Sequence, residues 1–453
     1  MDYHQAVGFL ESLSNVSGFD RKSKGAARER LNNFKHFLEI LGNPENKVKI
    51  IHIAGTSGKG SVVAMLHSIL QSAGKRVGSY TSPHTTTFCE RIKVGDKYIG
   101  GRELARSVEF LKDKMDEYVR RGAKTLNFFE ASFCLALLYF KEMNCEYAVI
   151  ETGCGGRYDA TNAIKKPIYA IITNIGPDHL NIIGPALKDV AYEKAGIIKA
   201  GAAFLNGETN RKWRKIFENE LKKVGTRNAR AKGADYEELK NIKISLDGTQ
   251  FEYKGGKYNL KLLGGHQARN AALAIECAKD LKISEMAIRD GLLGAFYAAR
   301  MEIISREPLI IIDGAHNEDK LKAALKFLNA AACAPRARRY LIMAMAKDKK
   351  TKILPEFFKY FDKIYFTRFS NPFRKCLTFG DWRKIAMKVS KNKIKYRHMP
   401  QDALLDILPK LGNNDLLLIT GSIFLAGELR GRWYSEDKIL KSKKSFFKDS
   451  AKA

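Results

Sequence analysis

The sequence predicts an α/β protein of two domains, each built on a mostly parallel sheet. Residues 48–53 form an apolar run, a glycine-rich break follows, and apolar residues then recur at helical spacing from 62 to 73. Short apolar runs continue to alternate with helical patterns in the rest of the first half. From residue 303 onwards, five more apolar runs alternate with helices, which is typical of a doubly wound, Rossmann-like sheet.

The glycine-rich break is predicted to be a strand-to-helix turn that binds phosphate. Its seven residues are Gly55, Thr56, Ser57, Gly58, Lys59, Gly60 and Ser61. Glycines let the backbone approach an anion, and the helix N-terminus offers unpaired N–H groups and a positive dipole end. Lys59 would then meet the terminal phosphates. This is not the standard P-loop, because Gly60 follows Lys59 and the hydroxyl arrives only at Ser61. The alternative is a glycine-rich turn that binds nothing.

Polar residues follow three other predicted strands. Glu151 directly follows the apolar run 147–150, and magnesium prefers one or two carboxylates together with phosphate oxygens and water. His179 follows the run 168–173, and Ser82 follows another short strand. His179 thus ends a strand beside two other strand-end candidates, which fits a nucleotide site on a parallel sheet. Ser82 by itself reads as an ordinary turn residue.

Residues 251–260 predict a β-hairpin with a Gly-Gly turn. That turn would oppose Tyr253 to Tyr258 and Phe251 to Leu260, and it would place all four side chains on one face.

Composition is ordinary for a globular protein, with 45% hydrophobic and 28% charged residues in a chain of 453. The seven cysteines are odd in number and include no C-x-x-C pair, so neither a disulfide framework nor a zinc ribbon is indicated. The N-terminus resembles neither a signal peptide nor a transit sequence, and no apolar run reaches the ~18 residues of a membrane span. We therefore expect a cytoplasmic protein, without a membrane partner and monomeric.

The net charge of +30 favours anionic partners. The basic residues are spread along the chain and are densest at its end, and no recognised nucleic-acid-binding motif appears, so nucleic acid is an unlikely partner. The predicted division of the chain is a nucleotide-binding domain at residues 1–299, a second domain at 300–430, and a basic, flexible tail at 431–453.

Several motifs resemble those of one enzyme family, in the family's order. The loop G-T-x-G-K-G-S resembles the nucleotide loop of the Mur ligase superfamily, and its GKGS ending resembles the folylpolyglutamate synthase and dihydrofolate synthase branch. Further matches are TSPH at 81–84, FCERI at 88–92, ETGCGGRYDATN at 151–162, EKAGIIK at 193–199, GGHQARN at 264–270, RME at 300–302, DGAHN at 313–317 and GSIFLAGE at 421–428.

This resemblance implies a P-loop-type ATPase domain followed by a ligase domain, and a two-step reaction. ATP converts a folate or dihydropteroate carboxylate to an acyl phosphate, and the amine of L-glutamate then displaces phosphate. The resemblance implies two Mg²⁺ ions on Ser82, Glu151, His179 and a carbamylated Lys194. It makes Lys59, Lys194 and His179 catalytic, and it adds Asn270, Arg300, Asp313 and His316 to the nucleotide site. Sequence alone would class Lys194 as a surface lysine.

Three alternatives stay open at this stage. A cell-wall amino-acid ligase shares the chemistry, but its loop normally continues GK with Thr. A P-loop kinase or motor ATPase would need the standard loop and a Walker-B strand. A basic nucleic-acid-binding module should bind oligonucleotides with a steep salt dependence.

Overall fold

The computed structural model describes residues 1–16, 24–177, 179–225, 231–331, 337–349, 352–371 and 374–444. Their contacts separate two compact units. Unit 1 comprises the described parts of Met1–Ser82, Phe88–Leu239 and Arg269–Ala295. Unit 2 comprises the described parts of Pro83–Thr87, Lys240–Ala268 and Phe296–Ala453.

Unit 1 is built on an eight-stranded sheet. Its strands are β1 Lys49–Ala54, β2 Val77–Tyr80, β3 Ile92–Val94, β4 Lys97–Tyr98, β5 Tyr147–Glu151, β6 Tyr169–Ile172, β7 Ala203–Asn206 and β8 Ala231–Gly233. The spatial order is β4-β3-β2-β5-β1-β6-β7-β8. Six strands run parallel, and β3 and β4 form an antiparallel edge. The mostly parallel sheet is thus confirmed, whereas its antiparallel edge was not predicted.

Ten helices lie between residues 1 and 295 in the described part of the chain. They are α1 Tyr3–Ser12, α2 Lys24–Ile40, α3 Lys59–Ser72, α4 Gly101–Arg120, α5 Phe128–Glu142, α6 Leu180–Ile183, α7 Leu187–Ala195, α8 Arg211–Lys223, α9 Gly265–Asp280 and α10 Glu285–Gly294. The central strands are mostly apolar because both sheet faces are covered. Ile51, Val149 and Ile171, for example, are fully buried.

Unit 2 contains a six-stranded sheet and a smaller one. The strands of the smaller sheet are β9 Leu239–Ser245, β10 Gly248–Tyr253 and β11 Gly256–Leu260. Those of the larger sheet are β12 Glu302–Arg306, β13 Leu309–Ile312, β14 Arg339–Met343, β15 Lys363–Phe366, β16 Ile394–Tyr396 and β17 Leu416–Thr420. The larger sheet has the order β12-β13-β17-β14-β15-β16, in which the five predicted strands are parallel and β12 is an antiparallel edge.

The helices that accompany this larger sheet cover a core centred on Trp382, Phe358 and Leu341. They are α11 Glu318–Ala331, α12 Leu354–Lys359, α13 Phe379–Ile385, α14 Pro400–Ile407, α15 Ile423–Arg430 and α16 Glu436–Ser442.

The predicted hairpin exists, but its predicted pairing is wrong by two residues. Phe251 pairs with Tyr258, and Tyr253 pairs with Gly256. The two turn residues are Lys254 and Gly255, both with positive φ, 47° and 77°. A turn with two positive φ values matches the twist of the flanking strands. The turn therefore lies one residue before the position predicted from the Gly-Gly pair. Phe251, Tyr253, Tyr258 and Leu260 are nevertheless all buried, as expected of one shared face.

The end of the described chain is more ordered than the sequence predicts. Within the predicted flexible tail, α16 is a helix capped by Ser435, whose side chain accepts a hydrogen bond from Lys438 N. Tyr434 and Ile439 are 2% and 1% exposed. Residues 431–444 therefore pack as part of the fold, and residues 445–453 lie outside the described residues. None of the described helices is both long and apolar enough to cross a membrane.

Candidate nucleotide and metal site

The candidate residues of unit 1 lie where neighbouring parallel strands end. The spatial order β2-β5-β1-β6 places four carboxyl ends side by side. Ile53 of β1 is paired with Glu151 of β5, and Tyr80 of β2 with Ile150. Gly55, Glu151 and Ser82 therefore emerge at one edge of the sheet, as the sequence predicted.

Two positions in the glycine-rich loop require glycine. Gly58 has φ 85° and precedes α3, and a Cβ there would lie 2.4 Å from the Oδ1 atom of Asn270. Gly55 has φ 154°, and a Cβ there would lie 1.8 Å from Thr173 Oγ1. Asn270, predicted from a distant motif, thus sits directly against the loop.

Side chains at the end of β6 hold the loop in place. Asn174 accepts hydrogen bonds from Thr56 N at its backbone oxygen (3.1 Å) and from Ser57 N at Oδ1 (2.9 Å). The Thr173 hydroxyl donates to Ser57 O at 2.6 Å. Thr56 Oγ1 donates to Gly176 O and accepts from Gly176 N. The Thr56 hydroxyl therefore stabilises the loop, and sequence reasoning missed Thr173 and Asn174 as its supports.

The loop ends on the first turn of α3. The first intrahelical hydrogen bond joins Val62 N to Gly58 O at 2.9 Å. The N–H groups of Lys59, Gly60 and Ser61 precede this bond, so they have no intrahelical acceptor and are suited to binding an anion.

Two lysines converge on the carbonyl oxygen of Gly55. Lys59 Nζ and Lys194 Nζ each donate to this oxygen at 3.0 Å, so the two nitrogens are at most 6.0 Å apart. Lys59 Nζ also lies 3.9 Å from Glu151 Oε1. Ser82 N donates to the other carboxylate oxygen of Glu151 at 3.1 Å. The structure therefore brings four predicted site residues together.

Lys194 is 3% exposed, so the interpretation of it as a surface lysine is wrong. Its position near the end of α7 directs the side chain to a carbonyl 139 residues away in sequence. Two ammonium groups this close in a low-dielectric site repel each other, and the single carboxylate of Glu151 balances only one of the two positive charges. The arrangement therefore suits a bound phosphate, or the conversion of one lysine to an anion.

His179 immediately precedes α6 and is half-buried, with φ 50° in the left-handed region that non-glycine residues seldom adopt. Asp178 beside it lies outside the described residues. Among the residues that the structure describes, no three His, Cys, Asp or Glu side chains form a preassembled metal site. Magnesium fits this edge nonetheless, since it needs few carboxylates and takes hydroxyl, phosphate and water oxygens for the rest.

In unit 2, Arg300 lies on a strained turn that other residues hold. Ala299 and Met301 on either side have φ 52° and 49°. Asp313 accepts hydrogen bonds from Met301 N (2.8 Å) and Ala315 N (2.9 Å). Burial raises the pKa of Asp313, and the charge of Arg300 opposes that rise. Both Asp313 oxygens serve the backbone, so the structure gives this carboxylate a supporting position beside Arg300.

A buried ion pair holds the same turn from its other side. Glu302 Oε2 accepts from Ala299 N at 2.9 Å. Arg430, which is fully buried, donates to both Glu302 oxygens at 2.8 and 2.9 Å. Its third nitrogen donates to Thr86 Oγ1 at 3.2 Å.

His316 is held as a neutral imidazole. Its Nδ1 lies 2.8 Å from Gly314 O, and its Nε2 lies 3.3 Å from Lys320 Nζ. An ammonium can only donate, so Nε2 accepts and Nδ1 carries the proton. Lys320 lies four residues beyond His316, near the start of α11. This spacing is the sequence signal that could have identified Lys320 as the partner of His316.

Comparisons with known proteins agree with this geometry. The Mur ligase middle domain matches residues 53–278, and the Mur ligase glutamate ligase domain matches residues 299–423. The chain is 32% identical over 435 residues to the dihydrofolate synthase/folylpolyglutamate synthase of Bacillus subtilis, covering 90% of this chain and 96% of that protein.

Solved structures give the same result. The folylpolyglutamate synthase of Thermotoga maritima superposes with a TM-score of 0.76 at 30% identity, over 92% of this chain and 94% of that one. A complex described as FPGS-AMPPCP-folate superposes with a TM-score of 0.76 at 27% identity, over 95% and 99% of the two chains.

Proposed function

Because this chain belongs to the folylpolyglutamate synthase and dihydrofolate synthase family of the Mur ligases, we propose that it attaches L-glutamate to a folate or dihydropteroate carboxylate. The reaction consumes ATP and passes through an acyl phosphate. The observation that carries the proposal is a chain of contacts: Lys194 and Lys59 share the Gly55 carbonyl, Lys59 lies beside Glu151, and Glu151 accepts from Ser82 N.

In the first step, the acceptor carboxylate attacks the γ-phosphorus of ATP, and ADP leaves. Lys59 Nζ and the free N–H groups of the α3 first turn bind the β- and γ-phosphates. In the second step, the glutamate amine attacks the acyl carbon, an amide forms, and phosphate and a proton are released. The protein must exclude water during the interval, since water would hydrolyse the acyl phosphate.

Four residues would hold magnesium in this proposal: Ser82, Glu151, His179 and Lys194. Bound magnesium supplies Lewis-acid stabilisation of the phosphate charge. An ammonium has no lone pair for a metal, so Lys194 becomes a ligand only after CO₂ converts its amine to a carbamate. The buried position of Lys194 beside a second ammonium supports this modification, because it turns a repulsion into an attraction.

Unit 2 contributes Arg300 and His316 to nucleotide binding in this proposal. Asp313 acts by keeping the Arg300 turn in shape, which the hydrogen bonds of its two oxygens support. We also propose a cytoplasmic location, since the six cysteines in the described part of the chain are all free thiols. We propose further that the protein is a monomer. Size-exclusion chromatography with light scattering tests the monomer.

The test of function measures ADP release with a panel of acceptors. Dihydropteroate, tetrahydrofolate and a UDP-muramyl peptide precursor are each supplied with ATP, Mg²⁺ and L-glutamate. We expect one ADP and one phosphate per amide with a pterin acceptor, and no turnover when Lys59 is changed to Met. The control Lys75→Met, at a half-buried lysine just beyond α3 that lies beside Glu146, should keep full activity. Full activity with the muramyl acceptor, or ADP release without any acceptor, would overturn the proposal.

A further inference from the structure

The loop that follows β5 packs directly on the end of α7. A Cβ on Gly156 would lie 2.6 Å from Glu193 O and 3.0 Å from the Cα of Lys194. In the opposite direction, a Cβ on Gly196 would lie 2.4 Å from the Cα of Arg157. The two backbones therefore touch. This one contact explains why glycine is needed both at 156, in the motif at 151–162, and at 196, in the motif at 193–199.

Arg157 fastens this contact with its backbone and its side chain. Arg157 N donates to Glu193 O at 2.7 Å. Its guanidinium donates to Tyr192 O at 3.2 Å and stacks on the Tyr192 ring, 4.1 Å from the centroid. Cations are favourable at the last carbonyls of a helix. Arg157 thus binds the two carbonyls that immediately precede Lys194.

A carboxylate from a third element fixes the guanidinium. Arg157 Nη2 lies 2.8 Å from Glu220 Oε2, and the Glu220 side chain of α8 is 10% exposed. An ion pair with so little solvent access has a defined geometry, unlike a mobile surface pair. The position of Arg157 is therefore determined by the fold.

The base of the loop is fixed as well. Asp159 Oδ2 accepts from Cys154 N at 2.9 Å, and Asp159 Oδ1 accepts from Thr161 N at 3.0 Å. Glu151 lies at the start of this loop, and Arg157 lies at its far end. The loop therefore connects Glu151 to Arg157, and the contacts of Arg157 connect the loop to the backbone next to Lys194.

We propose that Arg157 is a positioning residue that sets the distance between Glu151 and Lys194, and with it the binding of the divalent cation. The inference rests on the proposed function, in which these two residues hold magnesium. Arg157 does not touch the reacting atoms in this proposal. It acts through the Tyr192 and Glu193 carbonyls on the backbone of Lys194.

Residues that orient metal ligands typically change metal affinity by about 10–100-fold when they are replaced. We expect Arg157→Met to raise the Mg²⁺ concentration for half-maximal activity by about tenfold or more. Arg157→Lys keeps the charge but loses the planar donor pair, so its effect should be intermediate. Arg214→Met, an exposed arginine on α8, is the matched control and should match wild type.

The deciding measurement is Mn²⁺ binding followed by electron paramagnetic resonance, in the presence of a non-hydrolysable ATP analogue and without turnover. Weaker Mn²⁺ binding in Arg157→Met, with a cooperative thermal melt retained, supports the proposal. A lower melting temperature with unchanged Mn²⁺ affinity would make Arg157 purely structural and overturn it. If Arg157→Met does not fold, Arg157→Lys and Glu220→Gln decide in the same way, and wild-type Mn²⁺ affinity in both overturns the proposal.

This experiment is independent of the ligase assay. If wild type binds Mn²⁺ more tightly than Arg157→Met does, but wild type makes no amide with any acceptor, the proposed function is rejected and the inference is kept. If wild type has full ligase activity and Arg157→Met binds Mn²⁺ as tightly as wild type, the proposed function is kept and the inference is rejected.

Discussion

Replacing Arg430 by methionine removes the positive half of a buried ion pair, and we expect unit 2 to lose about 3–5 kcal/mol of stability. Arg430 has no solvent exposure, and the Glu302 side chain is 4% exposed. The change removes charge-assisted hydrogen bonds to both Glu302 oxygens and one hydrogen bond to Thr86. Glu302 then keeps the hydrogen bond from Ala299 N but loses the guanidinium that pairs with it. The main cost is this uncompensated buried carboxylate.

Urea unfolding measured by tryptophan fluorescence tests this magnitude. The chain has three tryptophans. A Trp213→Phe background leaves the signal to Trp382 and Trp433, both in unit 2. Arg432→Met, an exposed arginine two residues away, should change stability by less than about 0.5 kcal/mol.

A double-mutant cycle isolates the ion pair from the packing of the arginine. Glu302→Gln combined with Arg430→Met should cost less than the sum of the single changes, by about 1–3 kcal/mol. Because Glu302 also holds the Arg300 turn, either single variant should raise KM for ATP. Additive effects, with each single change below 1 kcal/mol, would refute the reasoning.

Two further predictions concern lysines of unit 1. Lys194→Ala should be nearly inactive, and added formate or acetate should partly restore its activity. The control Lys188→Ala, on the exposed side of α7, should be active. Full activity of Lys194→Ala would contradict the proposed carbamate on Lys194. Burial, together with the charges of Lys35 and Arg157, lowers the pKa of Lys199 from 10.5 to about 8. The unfolded chain then binds more protons between pH 8 and 10.5, so this cation destabilises the fold below pH 8 by at most about 3 kcal/mol, and the cost fades as pH rises. Lys199→Met should therefore be more stable than wild type at pH 7 and equal to it near pH 11 in urea titrations. A pH-independent difference would show that the charge is not the cause.

Most of the strands that sequence patterns located are buried on both faces. β1, β5 and β17 are continuous apolar runs, and their order along the chain already implied a parallel sheet. Among the strands that were missed, β3 and β4 are short and β12 lies at an edge, whereas β7 is a buried inner strand of only four residues. β12 begins with Glu302 and ends with Arg306, so no apolar run marks it.

The site could be predicted where residues follow strands, since parallel strand ends meet in space. Gly55 and Glu151 were located in this way, whereas the metal-binding role expected of Ser82 came from the family resemblance. The roles of Lys194 and Asp313 could not be predicted from local patterns, because they depend on partners distant in sequence or on backbone N–H groups. A lysine pattern predicts a solvated side chain, and only the tertiary contact with Gly55 shows that this one is buried.

Unit 2 is assembled from three separate stretches of the chain, and this affects how the protein can be synthesised and divided. Leu263 packs in the same core as Leu321, Phe358 and Trp382, which the ribosome adds much later. Until those residues emerge, the segment Lys240–Ala268 has no completed core to join, and such non-local contacts slow folding. A fragment that starts at Phe296 would expose the core surface that Leu263 covers. No single cut of the chain would therefore leave both units intact.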